Sequence, residues 1–333
     1  MLDERWSQEA EEIGEALRHT LSRESSIARV RAAEATPDGR DPGLERQLQA
    51  LGLNELPPDP VIAARVAYEL GRAIAPTAFV ESMPALLMLR LPDVGYGFEG
   101  DVPAALQKVA LRDDGGVLVC DLKGPSARSA AGDWLVRPDR VATAVRAADR
   151  EAADRMRRTM RLVDSARLIG AGQSALQIGV SYARERLAGG RLIGAYQAVS
   201  HQLVNAAIAL EGAELLLRKS AFTALEAAGG DGAPSQIFAA LLRAKAVQSA
   251  RLAATTSHQV MGGNGFALDY DCQLFSRRIR NWSGRLAPPG PELVDVARTV
   301  LDRRQRDQVR WLWQHERGLD IPQWAKAGDR TDR

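Results

Sequence analysis

Arg186, Gln197, Gln259, Gly262 and Gly263 are the residues whose types and spacing point to one shared chemistry. An arginine presents a planar bidentate fork to a phosphate or pyrophosphate, primary amides add neutral donors, and adjacent glycines let backbone N–H groups approach an anion closely. Arg186 precedes the pair Gly189-Gly190, Gln197 follows that pair, and Gln259 opens QVMGGNG within the stretch His258–Phe266. Taken singly, a Gly-Gly pair is a helix C-cap and Arg186 is a surface arginine. Their order along the chain is what makes them parts of one ligand site.

The elements that must hold these residues are helical. Leu162, Ala166, Ile169, Gln173, Leu176, Val180 and Ala183 recur on one face of a long helix that Gly189 and Gly190 are expected to stop. A second helix is expected from Tyr196, with Val199, Leu203, Leu210 and Leu217 on its apolar face, and a third runs from Pro234 into the His258 stretch. LDYDCQLFSRRIRNW and, past a PPGP break, ELVDVARTVLDRRQRDQVRWLW continue the pattern, with Val294, Ala297, Leu301, Val309 and Trp313 near helical spacing. Long helices with short loops predict an antiparallel bundle over residues 146–320, followed by a tail at 321–333.

Upstream, Trp6, Ile13, Leu17 and Leu21 predict one amphipathic helix, Leu44 to Leu51 a short one ended by Gly52, and VIAARVAYELGRAIAP a third running up to Pro76. Residues 1–90 are thus expected to form a helical domain. Between 91 and 145, glycines, prolines and runs such as GGVLVCDL and DWLVRP predict a small β-domain of two to four strands. Trp134 reads as a core or domain-edge aromatic.

The 333 residues carry 44 Lys plus Arg against 42 Asp plus Glu, and a net charge of +2 gives no argument for nucleic acid or an anionic membrane as partner. The Arg- and Trp-containing run RRQRDQVRWLW is read as a packed last helix because Val294, Ala297, Leu301, Val309 and Trp313 fall near helical spacing. No window approaches the ~20 apolar residues of a membrane span. The acidic, amphipathic N-terminus lacks a secretory pattern. The four histidines are too dispersed for a metal motif, and Cys120 and Cys272 read as reduced core thiols of a cytoplasmic protein.

The order of segments resembles the acyl-CoA dehydrogenase family, in which a helical N-terminal domain, a middle β-domain and a C-terminal four-helix bundle hold FAD between subunits. RLAGGRLIGAYQ is similar to the family's R-x-x-F-G-x-x-I-x-x-x-Q run, which implies that Arg186 grips the pyrophosphate and Gln197 is the family glutamine. QVMGGNG resembles Q-x-x-G-G-x-G, which implies that Gln259, Gly262 and Gly263 meet the adenine half of a flavin bound mainly by the neighbouring protomer. SRRIRN, ending at Asn281, resembles the following R-x-Y-R-D segment, and ELGRAIAPTAF from Glu69 resembles the end of the N-terminal domain. A mainly α, acyl-CoA dehydrogenase-like fold with a reduced middle domain is therefore expected.

The departures carry as much meaning. Gly189 replaces the family phenylalanine that packs on the nucleotide. Pro289 stands where the family's Y-E-G-T run has its catalytic glutamate, with Gly290 at the glycine, and a pyrrolidine ring takes no proton. The other family location for that glutamate, near Leu162, offers only Asp164. The middle domain lacks the Thr, Ser and Trp run that contacts the isoalloxazine ring. The resemblance thus implies no catalytic residue in this chain. It implies a subunit of an α2β2 heterotetramer that acts on a bulky, steroid-like acyl-CoA and passes electrons to an electron-transfer acceptor. The chain would contribute FAD binding and interface while a homologous subunit supplies the base. The alternatives are a homo-oligomer with Asp164 or Glu292 as an unusual base, and a helical scaffold that has lost FAD.

Overall fold

The computed structural model describes residues 5–123, 126–129, 133–138, 144–226, 232–286 and 288–302. The chain opens with α1 (Gln8–Glu24), α2 (Ile27–Glu34), α3 (Pro42–Ala50), α4 (Pro60–Arg72) and α5 (Phe79–Leu89). Their starts are set locally: the side chains of Ser7, Ser26, Asp41 and Asp59 accept from backbone N–H groups of the first turns, and Pro42 and Pro60 occupy positions where no N–H is needed. Two expectations change. The first helix is broken at Ser25 and Ser26 into α1 and α2, and the helix expected to reach Pro76 ends at Arg72, because Ile74 turns to a positive φ of 40°.

The middle domain holds seven short strands among the described residues, not two to four: β1 (Val94–Tyr96), β2 (Val102–Pro103), β3 (Lys108–Asp113), β4 (Gly116–Asp121), β5 (Ser126–Arg128), β6 (Trp134–Val136) and β7 (Val145–Ala148). They form a four-stranded sheet in the order β1-β3-β4-β7, with β1 and β3 parallel, and an antiparallel β2-β6-β5 sheet. Val102, Val109, Leu111 and Cys120 make a small apolar core.

The C-terminal part starts with α6 (Arg150–Glu185), capped by Asp149, and a hairpin of β8 (Leu187–Ala188) and β9 (Arg191–Leu192). Then come α7 (Gln197–Glu226), α8 (Gln236–Met261), the single turn α9 (Gly263–Phe266), α10 (Cys272–Arg285) and α11 (Gly290–Leu301). The expected continuation of the last helix through Val309 and Trp313, and the tail, lie outside the described residues.

One apolar core joins α1, α4 and α5 to the bundle. The crossing of α4 on α6 depends on two glycines that face each other's backbones. A Cβ on Gly71 would stand 2.1 Å from the Arg167 carbonyl oxygen, and one on Gly170 would stand 2.1 Å from that of Tyr68. Larger residues would push the N-terminal domain off the bundle. Cys120 and Cys272 are buried and unpaired, and burial pushes the Cys272 thiol up to about 11.

Candidate functional site

The Gly189-Gly190 pair does not stop the long helix. α6 ends at Glu185, with the Arg186 N–H donating to Tyr182, and the glycines form the two-residue loop of the β8–β9 hairpin, at φ of 59° and 79°. A hairpin loop of this length favours turns with positive φ at both positions, which glycine adopts without strain. Tyr196 braces the hairpin: its hydroxyl donates to the Ala188 carbonyl at 2.9 Å, and the Arg191 guanidinium lies 3.9 Å from its ring centre. A Cβ on Gly189 would stand 2.5 Å from that hydroxyl, so the departure from phenylalanine is matched by a tyrosine filling the space.

At the end of α8, Gly262 has φ 59° and its N–H donates back to His258 and Gln259, while the Gly265 N–H donates to Gly262. The Gly262 N–H caps α8 and the Gly265 N–H closes the following turn, so neither is free to line a phosphate as the glycine run was expected to. Beside the turn lies an open cleft of about 900 Å³, bordered by Arg251, Thr255, Gln259, Gly262, Phe266 and Arg280, with His258, Ser276 and Arg277 also contributing. Burial pulls the His258 imidazole below its ordinary value, and its Nε2 lies 2.7 Å from the Ser276 hydroxyl.

The five predicted residues are all exposed. Gln259 and Gly262 line the cleft, Gly263 starts α9 beside it, and Arg186 and Gln197 belong to the hairpin side. What joins the two groups is a hydrogen bond from the Asn264 amide to the Tyr182 hydroxyl, 3.0 Å, which fastens the last turn of α6 to the α8–α9 turn. The sequence reading missed Arg251, Thr255 and Arg280. Arg251, Thr255 and Gln259 follow one another at four-residue spacing on one face of α8, a pattern that was available.

Where the three layers meet, the interior is filled by charge. Asp164 is 1% exposed and accepts from Arg167 with one oxygen and from Arg243 with the other. Burial opposes its ionised form, but the Arg167 and Arg243 charges outweigh that and hold its carboxyl below the usual range. Glu81 accepts from Arg167 at 2.6 Å and from Arg285 at 2.8 Å, and the Arg167 guanidinium stacks 4.4 Å from the Trp282 ring. Glu292, the other candidate base, is paired with Arg161 at 2.7 Å. The cavities at this junction measure about 50 and 10 Å³.

A flavin nucleotide fits this chain only in part. The outer cleft has the volume and the guanidinium, amide and aromatic lining that the ADP portion requires. The interior does not have room for an isoalloxazine ring, since ligand pockets run to several hundred Å³. Among the described residues no group of His, Cys, Asp and Glu could hold a metal, and no helix is long and apolar enough to cross a membrane.

Residues 151–283 match the model of the acyl-CoA dehydrogenase C-terminal domain. Over these residues the chain carries an acyl-CoA dehydrogenase C-terminal domain. It is 25% identical over 320 residues to the acyl-CoA dehydrogenase IpdE2 of Mycolicibacterium smegmatis, covering 86% of this chain and 97% of that protein. Its fold matches the Tcur3481–Tcur3483 steroid ACAD with a TM-score of 0.80 at 20% identity, covering 88% of this chain and 98% of that one. The ChsE4–ChsE5 complex from Mycobacterium tuberculosis also matches with a TM-score of 0.80, at 17% identity, over 90% of this chain and 99% of that one. The acyl-CoA dehydrogenase fold is therefore shown, with its helical, β and helical segments in the expected order.

Proposed function

We propose that this chain is the non-catalytic subunit of a heteromeric, FAD-dependent acyl-CoA dehydrogenase. Its Arg186, Gln197, Gln259, Gly262 and Gly263 edge, together with Arg251 and Arg280, takes the ADP portion of FAD at a subunit boundary. A homologous subunit supplies the catalytic glutamate and the isoalloxazine platform. The observation that carries this reading is the contrast between the two places: the outer cleft keeps an anion-binding lining, while the interior is closed by the Asp164–Arg167–Arg243 cluster. With both Asp164 oxygens held by arginines, the homo-oligomer with Asp164 as base loses support.

In this reaction class the chemistry supplied by bound FAD is acceptance of the hydride leaving the β-carbon as a carboxylate takes the α-proton. The residues of this chain bind and orient. Arg280 and Arg251 offset phosphate charge, Gln259 donates without adding charge, and the hairpin fixes where Arg186 stands. The two structural neighbours, one a steroid ACAD and one a two-protein complex, support a bulky acyl-CoA substrate and a homologous partner. An electron-transfer acceptor and a cytoplasmic location complete the proposal.

Co-purification from the native host tests it. The expected result is a homologous acyl-CoA dehydrogenase subunit bound to this chain, with flavin absorbance in the complex. Recovery of this chain without such a subunit, as a helical protein free of flavin, would favour the scaffold alternative.

A further inference from the structure

The β8–β9 hairpin has two unlike faces. Leu187 pairs with Leu192 and Ala188 with Arg191, and the Ile193 N–H donates to the Arg186 carbonyl at 2.8 Å, so the register continues to an Arg186–Ile193 pair. Side chains alternate along a strand, which puts Leu187 and Leu192 on one face and Arg186, Ala188, Arg191 and Ile193 on the other. Arg186 and Arg191 are diagonal neighbours on that second face, at the ~7–8 Å such pairs have. Both are exposed. Among the described residues neither makes an ion pair, and Glu185, the acid next to Arg186 in sequence, makes none either.

Arg191 is nonetheless held in place. Its guanidinium lies 3.9 Å from the Tyr196 ring centre, and the Tyr196 hydroxyl donates to the Ala188 carbonyl at 2.9 Å. The tyrosine is thereby tied to the residue opposite Arg191, and its ring fixes the plane of the guanidinium while leaving the N–H edges open to a ligand. Two cations on one face of so short a hairpin repel each other, and a stacked guanidinium gives up rotamer freedom before any ligand arrives. An anion that meets both forks offsets the repulsion, and the prior ordering then strengthens binding.

We propose that Arg191 is a second pyrophosphate-binding residue beside Arg186, and that Tyr196 is its positioning residue. The ligand is the pyrophosphate of the flavin nucleotide, whose two bridged phosphates present oxygens to two planar forks at once. The inference rests on the proposed nucleotide site and deepens it: one arginine stands on the strand side that leaves α6 and the other on the strand that returns.

Titration of the apo-complex with FAD at low and high ionic strength tests this. Arg191→Gln is expected to weaken FAD binding by roughly tenfold at low salt, with the difference shrinking in high salt. Tyr196→Leu should weaken it as well, and the two losses should not add in the double variant, because the ring acts through the guanidinium. Arg186→Gln separates the inference from the reading beneath it. Affinity lowered by Arg186→Gln but unchanged by Arg191→Gln would overturn the inference and leave the nucleotide site standing, and indifference to both variants would overturn the two together. A loss in Arg191→Gln that is equal at all salt concentrations, or losses that add fully in the double variant, would also overturn it. CoA carries a pyrophosphate of its own, so CoA binding abolished by Arg191→Gln with FAD affinity intact would contradict the assignment to the flavin nucleotide.

Discussion

The Asn264 side-chain amide donates to the Tyr182 hydroxyl at 3.0 Å, and this one contact fastens the end of α6 to the turn after α8. Arg186 begins one turn beyond Tyr182, so the bond sets the hairpin and the arginine-lined cleft at the same end of the bundle.

Removing either partner should loosen that alignment while leaving the fold. Tyr182→Phe or Asn264→Ala is expected to cost ~0.5–1.5 kcal/mol in urea unfolding, the usual worth of a partly buried hydrogen bond. Both should weaken FAD retention by the complex, measured by flavin fluorescence released on dilution. An unchanged retention would separate the hairpin from the nucleotide site.

Asp164 should matter to stability and not to proton transfer. Asp164→Ala leaves buried Arg243 without the carboxylate it pairs with and Arg167 with Glu81 alone, and the expected loss is about 3–5 kcal/mol. Because the folded carboxyl lies below its ordinary value of 3.8, its contribution is present above that pH and lost as pH falls through the lower folded value. Acid unfolding of Asp164→Asn should therefore be less steep below about pH 4 than that of the wild type. If the variant instead kept wild-type stability and lost turnover in the complex, Asp164 would be the base.

Gly189 is held at φ 59° against Tyr196. Restoring the family phenylalanine by Gly189→Phe should not improve flavin binding, since the ring would have to displace the tyrosine. A side chain in that left-handed conformation costs about 1–2 kcal/mol on its own. Gly189→Ala is the milder probe, and a melting temperature equal to that of the wild type would contradict the account of the hairpin.

Arg251 and Arg280 line the cleft and are exposed. Charge reversal at either should lower FAD affinity of the complex by roughly three- to tenfold at low ionic strength, with the difference shrinking in high salt. Titration of the apo-complex with FAD at two salt concentrations checks this. Equal affinities would move the phosphates elsewhere.

Much of the architecture was legible because it is written in local patterns. Ser and Asp caps, the apolar stripe of α6 and the glycine-rich turn after α8 each act within a few residues. α5 was not legible, since nine of its residues from Phe79 to Leu87 are all buried and no polar face sets a period. Strands of two or three residues, such as β2 and β8, are too short to show alternation. The hairpin was misread because a Gly-Gly pair serves a helix end and a tight turn equally well. The closure of the interior was invisible for a different reason: Asp164 meets Arg243 from 79 residues away, and only the packing of α8 on α6 brings them together.

The visible absorption spectrum and dehydrogenase activity of this chain, purified alone and purified with its homologous subunit, probe the division of labour most directly. The account predicts a colourless, inactive chain alone, and a yellow, active complex that loses FAD without dissociating when Gln259→Ala and Arg280→Glu are introduced here. A yellow, fully active preparation of this chain by itself would contradict it.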